Sequence, residues 1–418
     1  MDLAHFRWIV SLGILAAVAF AFSAAAHGAT KTLVVEAGKY TRANVPMSVA
    51  APEGTTQVKM MDGSKEVPCQ VADGKLWWIL DALPAGAAKT YTVDLGADSG
   101  ADAPSRASGS SAKAVDLKET KDAVEVTIDS KPFTTYHFTT PKLTTTQIHR
   151  PYFFPVLGPD GAEMTRPWPM VADVPASIVK DHPHHTGLWI AYGEVGGVDN
   201  WSASDKAGWQ IHRSFDTLAG GPVVGTLRET LDWTSAAREP NMAEVRTVRF
   251  YRLPASVRIM DFEVTFRAKY GKVDFGDTKE GGPMASRMRQ EFVSEKGGAG
   301  RLVNAQGLVG AALWGKKSEW VDCSGPVDGK TFGYAIFDTP GNFRYPTRWH
   351  SRPYGLHTAN SFGQAAFEKN AGKGDYVLEA GKDLTFRWRF YFHTGDEKDG
   401  QVAARYADYA EPPKAQWK

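Results

Sequence analysis

The chain has 418 residues, with 48 lysine and arginine residues against 47 aspartate and glutamate residues, and its formal net charge is +1. This balance argues against a nucleic-acid partner and against a polybasic membrane-binding surface, whereas it leaves open a neutral or singly charged ligand. The length exceeds what one small core usually organises, so we expect a small domain and a larger one. The two cysteines, Cys69 and Cys323, are too few for a disulfide framework, and we expect both to be unpaired.

Residues 1–26 predict a signal peptide. An arginine precedes an apolar run that begins at Trp8 and ends in small residues, with Ala24 and Ala26 placed as in a signal peptidase site. An uncleaved membrane anchor is the alternative, because the run is about long enough to span a bilayer. We therefore expect a periplasmic or secreted protein that has no membrane contact after signal cleavage.

Residues 30–98 predict a small N-terminal β-sandwich domain. Apolar and β-branched residues at 32–35, 57–60 and 76–79 are typical of strands, and Asp62-Gly63 is typical of a hairpin turn. Residues 99–116 are rich in glycine, alanine, serine, aspartate and proline, which cannot form a core, so this stretch is predicted to be a linker.

Residues 117–418 predict a second, much larger all-β domain. Apolar and polar residues alternate at 124–128, 260–267 and 384–393, which is the pattern of half-buried strands. An all-β unit of this size needs two large sheets packed face to face. The one predicted helix lies at 401–410 and ends before a pair of prolines.

Three of the eleven histidines fall within four residues, at His182, His184 and His185. Pro183 predicts an extended conformation for His182, and on a strand His182 and His184 would share one face. The cluster has three possible roles, which are metal binding, proton transfer and hydrogen bonding to a sugar. We take His184 and His185 as candidate catalytic groups, and His182, His184 and His350 as candidate ligands of a divalent metal ion. The alternative is that the rings only bond to loop carbonyls.

The segment that follows the histidine cluster contains four candidate substrate-binding residues. Aromatic faces stack on sugar rings, which favours Trp189 and Trp201, and the carboxylates Glu194 and Asp199 could bind hydroxyl groups. The alternative for the two acidic residues is ordinary loop composition, because glycines surround them.

A third candidate group lies at 287–291. On one strand face Arg287 and Arg289 would hold Glu291 ionised, which suits a base, while Arg289 would bind substrate. A surface ladder of ion pairs is the alternative.

A fourth group lies within and just after a turn near residue 340. Asp338 and His350 are candidate catalytic residues, and Asn342, Arg352 and Tyr354 are candidate substrate-binding residues. Few protein cores need this mixture of aromatic, amide and charged side chains so close together in sequence.

Several common chemistries lack their sequence signatures. There is no glycine-rich dinucleotide fingerprint, no phosphate-binding Walker loop, no paired-cysteine zinc site, no His-Glu-x-x-His helix and no Gly-x-Ser-x-Gly elbow. Nucleotide hydrolysis, nicotinamide redox chemistry and serine esterase chemistry are therefore disfavoured.

Sequence runs at 151–159, 165–166, 181–189, 197–201, 328–331, 338–342, 346–350 and 354–356 together resemble a family of secreted bacterial proteins of unknown function. The resemblance covers most of residues 120–410, with departures at Thr186, where arginine is expected, and at Asn200, where an aromatic residue is expected. Members are often labelled as the PmoA subunit of methane oxygenase. That label conflicts with this sequence, which has no apolar span after its N-terminal segment.

The resemblance implies a galactose-mutarotase-like β-sandwich, in which a histidine and a carboxylate exchange protons with a sugar. Here His184 or His185 would act with Glu291 or Asp338. We therefore predict a periplasmic carbohydrate-active enzyme that cleaves a glycosidic bond, with no cofactor beyond a possible divalent metal ion.

Two routes of cleavage are open. Hydrolysis needs two carboxyl groups beside the bond. β-Elimination needs a base beside an acidic carbon, as in keto-sugar or uronate glycosides, and the histidine cluster favours this route. The alternatives are an aldose epimerase and a non-catalytic glycan-binding protein.

Overall fold

The computed structural model describes residues 29–96, 114–143, 146–295 and 298–418. The predicted signal peptide and residues 99–113 of the predicted linker lie outside the described residues. Within the described ranges, no helix is both long and apolar enough to cross a membrane.

The N-terminal segment forms a small sandwich of two antiparallel sheets. Strands occur at all three segments predicted from the alternation of apolar residues. Its strands in chain order are β1 (Ala29–Glu36), β2 (Arg42–Ala50), β3 (Gln57–Asp62), β4 (Lys65–Val67), β5 (Cys69–Ala72), β6 (Lys75–Leu83) and β7 (Ala88–Gly96). Leu33 and Met60 from one sheet pack against Met47 and Trp78 from the other. Both cysteines are buried.

The hairpin turn between β3 and β4 lies one residue later than predicted. Asp62 is the last residue of β3 and pairs with Lys65, so the turn residues are Gly63 and Ser64. Gly63 has a φ of +59°, a conformation that glycine adopts without a steric penalty.

Eighteen further strands build the large part of the chain. They are β8 (Val115–Glu119), β9 (Ala123–Ile128), β10 (Lys131–His137), β11 (Tyr152–Val156), β12 (Leu188–Tyr192), β13 (Trp209–Ala219), β14 (Val224–Thr234), β15 (Pro240–Tyr251), β16 (Val257–Arg267), β17 (Val273–Phe275), β18 (Gly281–Arg287), β19 (Arg301–Asn304), β20 (Trp320–Val327), β21 (Lys330–Phe337), β22 (Arg348–Trp349), β23 (Leu356–Asn360), β24 (Tyr376–Leu378) and β25 (Asp383–Thr394). Short 3₁₀ helices lie at Pro159–Gly161, Gln290–Phe292 and Gly310–Leu313.

Sixteen of these strands form two eight-stranded sheets packed face to face. Sheet one has the order β22-β23-β18-β12-β11-β10-β9-β8, and sheet two has the order β13-β14-β15-β16-β25-β21-β20-β19. Aromatic rings fill the space between them: Phe133 lies 6.1 Å from Phe250, and Phe153 lies 5.6 Å from Phe262. The predicted all-β class with a large β-sandwich is confirmed.

The predicted helix is also confirmed, as α1 (Val402–Ala410). Tyr406 and Tyr409 pack on Phe337 at ring distances of 5.5 Å and 6.2 Å. This contact holds α1 against the outer face of sheet two.

The end of the chain does not belong to the large pair of sheets, contrary to what the predicted domain range implied. The last strand, β26 (Lys414–Trp417), pairs with β1 of the small sandwich rather than with either large sheet. The range 117–418 predicted for the large domain is therefore wrong at its end, because alternation alone does not say which sheet a strand joins.

The small sandwich packs on the outer face of sheet two. Trp77 lies 6.2 Å from Tyr251, and the side-chain oxygen of Gln70 accepts hydrogen bonds from the backbone of Val223 and Val224 at 2.8 Å and 3.0 Å. This face is thus covered, and sheet one presents the outer face on which a cleft is built.

We predict that Trp417→Ala lowers the free energy of unfolding by about 2 kcal/mol, because the half-buried indole would leave the small core and its hydrogen bond to Ala50 O at 2.8 Å would be lost. Urea denaturation measures this change. The neighbouring exposed Gln416→Ala is the control, for which we expect a change of less than about 0.5 kcal/mol. Equal stability of the two variants would contradict the role of β26.

Candidate functional site

A cleft of about 1040 Å³ lies on the outer face of sheet one. Its floor is apolar, because alternate residues of β11, β12 and β18 point away from the main core: Tyr152, Trp189 and Ala285 pack together with Trp201 and Leu356. The floor therefore comes from strand residues, while the polar groups come from the loops that connect the strands.

The histidine cluster forms a tight turn and not a strand. The backbone N–H of His185 bonds to His182 O at 3.0 Å, and His182 has a φ of +45° instead of the extended conformation expected before Pro183. The prediction that His182 and His184 share one strand face is therefore wrong. We refer to residues 182–185 as the histidine turn.

The turn gathers the three rings. The centroids of His182 and His185 lie 4.8 Å apart in stacked planes, and the ring of His184 lies 4.5 Å from that of His185. The ring of Tyr354 stacks on the other side of His182 at 5.1 Å, and Trp189 stacks on His185 at 5.4 Å. Aromatic packing thus fixes the orientation of the His182 and His185 rings.

Asp181 connects the histidine turn to two buried arginines. One carboxylate oxygen accepts hydrogen bonds from Arg166 and, at 2.7 Å, from Arg287, while the other lies 3.1 Å from Nδ1 of His182. Burial opposes ionisation, but the bond from His182 and the charges of Arg287 and Arg166 outweigh it and hold the pKa of Asp181 well below its usual range. Asp181 is therefore an anion at neutral pH.

Arg287 also sets the tautomer of His185. Its guanidinium donates to Nδ1 of His185 at 3.3 Å. Because a guanidinium has no acceptor, Nδ1 must be unprotonated, and the proton of the neutral ring is on Nε2. Sequence reasoning placed Arg287 on a predicted strand but missed its contacts with Asp181 and His185, because these residues lie more than 100 positions away in the chain.

His184, His185 and His350 are neutral at neutral pH. Burial, with the charge of Arg150 beside it, lowers the pKa of His184 to about 3, and burial lowers that of His185 well below its usual value. Burial likewise lowers the pKa of His350 to about 4. Arg150 is itself buried and donates to the backbone oxygens of His184, Asn200 and Trp201.

Most of the predicted site residues meet in this cleft. Nine of them line it: His182, His184, His185, Glu194, Asp199, Trp201, His350, Arg352 and Tyr354. Trp189 lies beneath, in contact with His185 and Trp201. Asp199 fixes the backbone around the floor residue Trp201, because its carboxylate accepts hydrogen bonds from the backbone N–H groups of Trp201 and Ser202 at 2.8 Å and 3.0 Å.

Asp338 and Asn342 are not in the cleft lining. The Asp338 carboxylate accepts a hydrogen bond from Asn342 at 2.7 Å and one from the backbone of Thr347 at 2.9 Å, and Asn342 bonds in turn to the backbone of Arg387. Burial raises the pKa of Asp338 to about 6. The predicted catalytic role of Asp338 and the binding role of Asn342 are corrected to structural roles, because all their hydrogen bonds go to the turn that contains them or to β25.

Glu291 and Arg289 are also outside the cleft lining. β18 ends at Arg287, so Arg289 and Glu291 lie in a loop and a 3₁₀ helix and do not share a strand face with it. They bond to each other at 2.8 Å, and Arg289 donates to Glu163 O. The alternative, a ladder of ion pairs across two strands, is not formed either, because neither residue lies on a strand.

The predicted metal ligands do not form a metal site. In the described ranges, no three histidine, cysteine, aspartate or glutamate side chains are arranged to hold a metal ion. The ring centroids of His182 and His184 lie 6.0 Å apart, and Nδ1 of His350 is already bonded to Lys279 O at 2.6 Å.

Three further lining residues were missed by sequence reasoning: Lys279, Glu280 and Trp314. Lys279 and Glu280 form an ion pair just before β18. Their only signal in the sequence is the Gly281-Gly282-Pro283 run that follows them, which marks a turn but no chemistry.

A half-buried carboxylate fixes the loop that closes one side of the cleft. Asp277 accepts four backbone N–H groups, from Gln364, Ala365, Ala366 and Gly374, at 2.6 Å to 3.2 Å. Ala366 lines the cleft, so this carboxylate positions part of the wall.

The family of unknown function DUF6807 matches residues 123–407. The chain belongs to this family. The DUF6807 region contains the whole cleft and leaves β1 to β7 outside it. Its description assigns no activity and gives no support to the PmoA label. A search of curated proteins found no match.

Solved structures show only distant similarity to the DUF6807 chain. A glycosyl hydrolase family 38 protein from Enterococcus faecalis is 10% identical with a TM-score of 0.42, and the match covers 93% of this chain and 47% of that one. An α-mannosidase from Enterococcus faecalis V583 is 8% identical with a TM-score of 0.42, and the match covers 93% of this chain and 46% of that one. A galactose mutarotase related enzyme from Lactobacillus acidophilus is 9% identical with a TM-score of 0.28, and the match covers 67% of this chain and 97% of that one. The chain thus spans just under half of the first two structures, and these scores carry no argument about activity.

We predict that Asp181→Asn lowers the free energy of unfolding by about 3 kcal/mol, because Arg166 and Arg287 would remain buried without their counter-charge. Urea denaturation at neutral pH measures the loss. Asp173→Asn, at an exposed position, is the matched control and should change stability by less than about 0.5 kcal/mol. If Asp181→Asn is as stable as the control, Asp181 does not hold the two guanidinium groups.

A second prediction concerns pH. Because the pKa values of His184 and His350 are lowered in the folded protein to about 3 and about 4, the unfolded chain binds more protons between those values and about 6.5. Stability should therefore fall as the pH is lowered through this window. His184→Asn should reduce the slope of the free energy of unfolding against pH by up to about 1.4 kcal/mol per pH unit. Urea denaturation of both proteins at a series of pH values measures the slopes, and identical slopes would show that His184 is not buried as described.

Proposed function

We propose that this protein is a carbohydrate-active enzyme that cleaves a glycosidic bond by β-elimination in the cleft of sheet one. The observation that carries the proposal is the set of neutral histidines placed over buried arginines, in one wide cleft with aromatic rings and carboxylates. Each of these features supports one part of the reaction.

The size and lining of the cleft support a sugar ligand. A volume of about 1040 Å³ is at the upper end of ordinary ligand sites and leaves room for more than one sugar ring. Trp314 and Tyr354 offer half-buried ring faces, while Glu194 and Asp199 offer acceptors for hydroxyl groups.

The charges behind the histidine turn support stabilisation of an anion. Arg150, Arg166 and Arg287 place three positive charges beneath the turn, and they outnumber the nearby carboxylates of Asp181 and Asp199. When a proton leaves the carbon beside a carbonyl or carboxyl group, negative charge develops on that group's oxygen. Fixed positive charges and hydrogen-bond donors in a dry site are the strongest means of lowering the energy of such a state.

The low pKa values of the histidines favour a role as hydrogen-bond donors over a role as bases. A ring with a pKa of about 3, as at His184, is a weak proton acceptor at neutral pH, but its N–H can still polarise an oxygen. A carboxylate of the cleft then serves as the base. We assign this role to Glu280, which lines the cleft together with His350 and Tyr354. Burial is the main influence on the pKa of these two residues, and the charge of Glu280 raises both values.

We predict that Glu280→Gln lowers kcat/KM for a glycoside substrate by at least about 100-fold, because the amide cannot accept the proton. The assay screens keto-sugar and uronate glycosides and records the unsaturated product by its ultraviolet absorbance. Glu66→Gln, an exposed glutamate of the small sandwich, is the control and should keep full activity.

Two results would contradict the proposal. Saturable binding of glycans by the wild-type protein without any turnover would identify a non-catalytic glycan-binding protein. A change in optical rotation of freshly dissolved aldoses, without bond cleavage and lost in Glu280→Gln, would identify an epimerase.

A further inference from the structure

Arg352 is a cleft guanidinium without a carboxylate partner among the described residues. It stands 5.3 Å from the ring centre of Trp314 and 6.0 Å from that of Tyr354. The neighbouring cation, Lys279, is already paired with Glu280. No hydrogen bond joins the side chain of Arg352 to any part of the chain that the structure describes, so its five N–H donors are free for a ligand.

The backbone fixes the position of this arginine. The N–H of Arg352 bonds to Leu356 O at 2.7 Å, and the N–H of Gly355 bonds to Arg352 O at 2.9 Å. Gly355 has a φ of +109°, which favours glycine and closes the turn before β23. The guanidinium is thus held by a tight turn and by two rings, which lowers the entropy lost when it binds a ligand.

Arg352 lies near the proposed base. Burial raises the pKa of Tyr354, while the charge of Arg352 lowers it and that of Glu280 raises it, so both groups lie within electrostatic reach of this hydroxyl. Arg352 and Glu280 do not form an ion pair with each other in the described structure. They line the same cleft, which therefore has a cation and a carboxylate on its border.

We propose that the substrate is an acidic glycan and that Arg352 binds the carboxylate of a uronate residue. This inference rests on the proposed function and names its substrate class. A guanidinium matches a carboxylate with two parallel hydrogen bonds, and the rings of Trp314 and Tyr354 lie beside it for contact with the sugar.

The same contact prepares the elimination. Arg352 neutralises the carboxylate and makes the hydrogen on the adjacent ring carbon more acidic. Glu280 accepts that proton as the C–H bond breaks. The electron pair forms a carbon–carbon double bond as the bond to the leaving glycosidic oxygen breaks, and that oxygen takes a proton from water. The resulting hydroxide takes the proton from Glu280, which restores the carboxylate. The products are an unsaturated uronide and a shortened sugar, with no change in overall oxidation state.

The test compares binding of trigalacturonate and triglucuronate with that of the neutral galactotriose and cellotriose, by calorimetry. We expect the wild-type protein to bind at least one acidic trisaccharide at least about tenfold more tightly than its neutral counterpart, as two charge-assisted hydrogen bonds require. Arg352→Gln should remove this preference. Arg228→Gln, a half-exposed arginine of β14, is the matched control and should retain it.

The outcomes separate this inference from the proposed function. Equal affinity for acidic and neutral sugars, no binding of either acidic trisaccharide, or a preference that survives in Arg352→Gln overturns the assignment of Arg352. Cleavage of neutral glycosides alone also overturns it but supports the proposed function. Loss of the acidic preference in Arg352→Gln, without turnover by the wild-type protein, supports the uronate site and overturns the proposed function.

Discussion

The carboxylate of Asp181 lies between two buried guanidinium groups, and the position of the histidine turn depends on this arrangement. Arg166 and Arg287 both bind the same oxygen of this carboxylate, and without a shared anion two such charges would repel each other in a poorly solvated site. The residue that follows Asp181 begins the turn. An ion-pair cluster thus fixes a loop that has no regular secondary structure of its own.

The charge of this cluster also determines the chemistry of the rings. Two arginines with one aspartate leave a positive field, and Arg150 adds to it. In that field and with little water, an imidazole stays neutral at neutral pH. The sequence led us to expect a proton-exchanging pair. Under the proposed function the histidines instead serve as oriented hydrogen-bond donors, and a carboxylate on another loop serves as the base.

The sequence was informative wherever the pattern was local. Alternating residues predicted β9, β16 and β25, and helical spacing predicted α1. The set of cleft residues 182–201 and 350–354 was predicted because each group is contiguous and rich in side chains that cores rarely use.

The errors arose where the outcome depends on distant parts of the chain. Asp338 had the right chemistry for a catalytic residue, but its hydrogen bonds are to Asn342 and Thr347, which only the folded turn reveals. Glu280 had no signal, because its importance comes from the return of residues 350–354 to the start of β18. The partner of β26 could not be predicted for the same reason, since strand pairing across more than 370 residues leaves no mark in the alternation.

The most direct test of the account is a crystal structure of the Glu280→Gln variant with trigalacturonate. We expect the sugar in the cleft of sheet one, with an oxygen of one residue within hydrogen-bond distance of a ring N–H of the histidine turn and its acidic carbon facing residue 280. A sugar bound elsewhere on the protein, or bound in the cleft with its reactive carbon turned away from both the histidine turn and residue 280, would contradict the account.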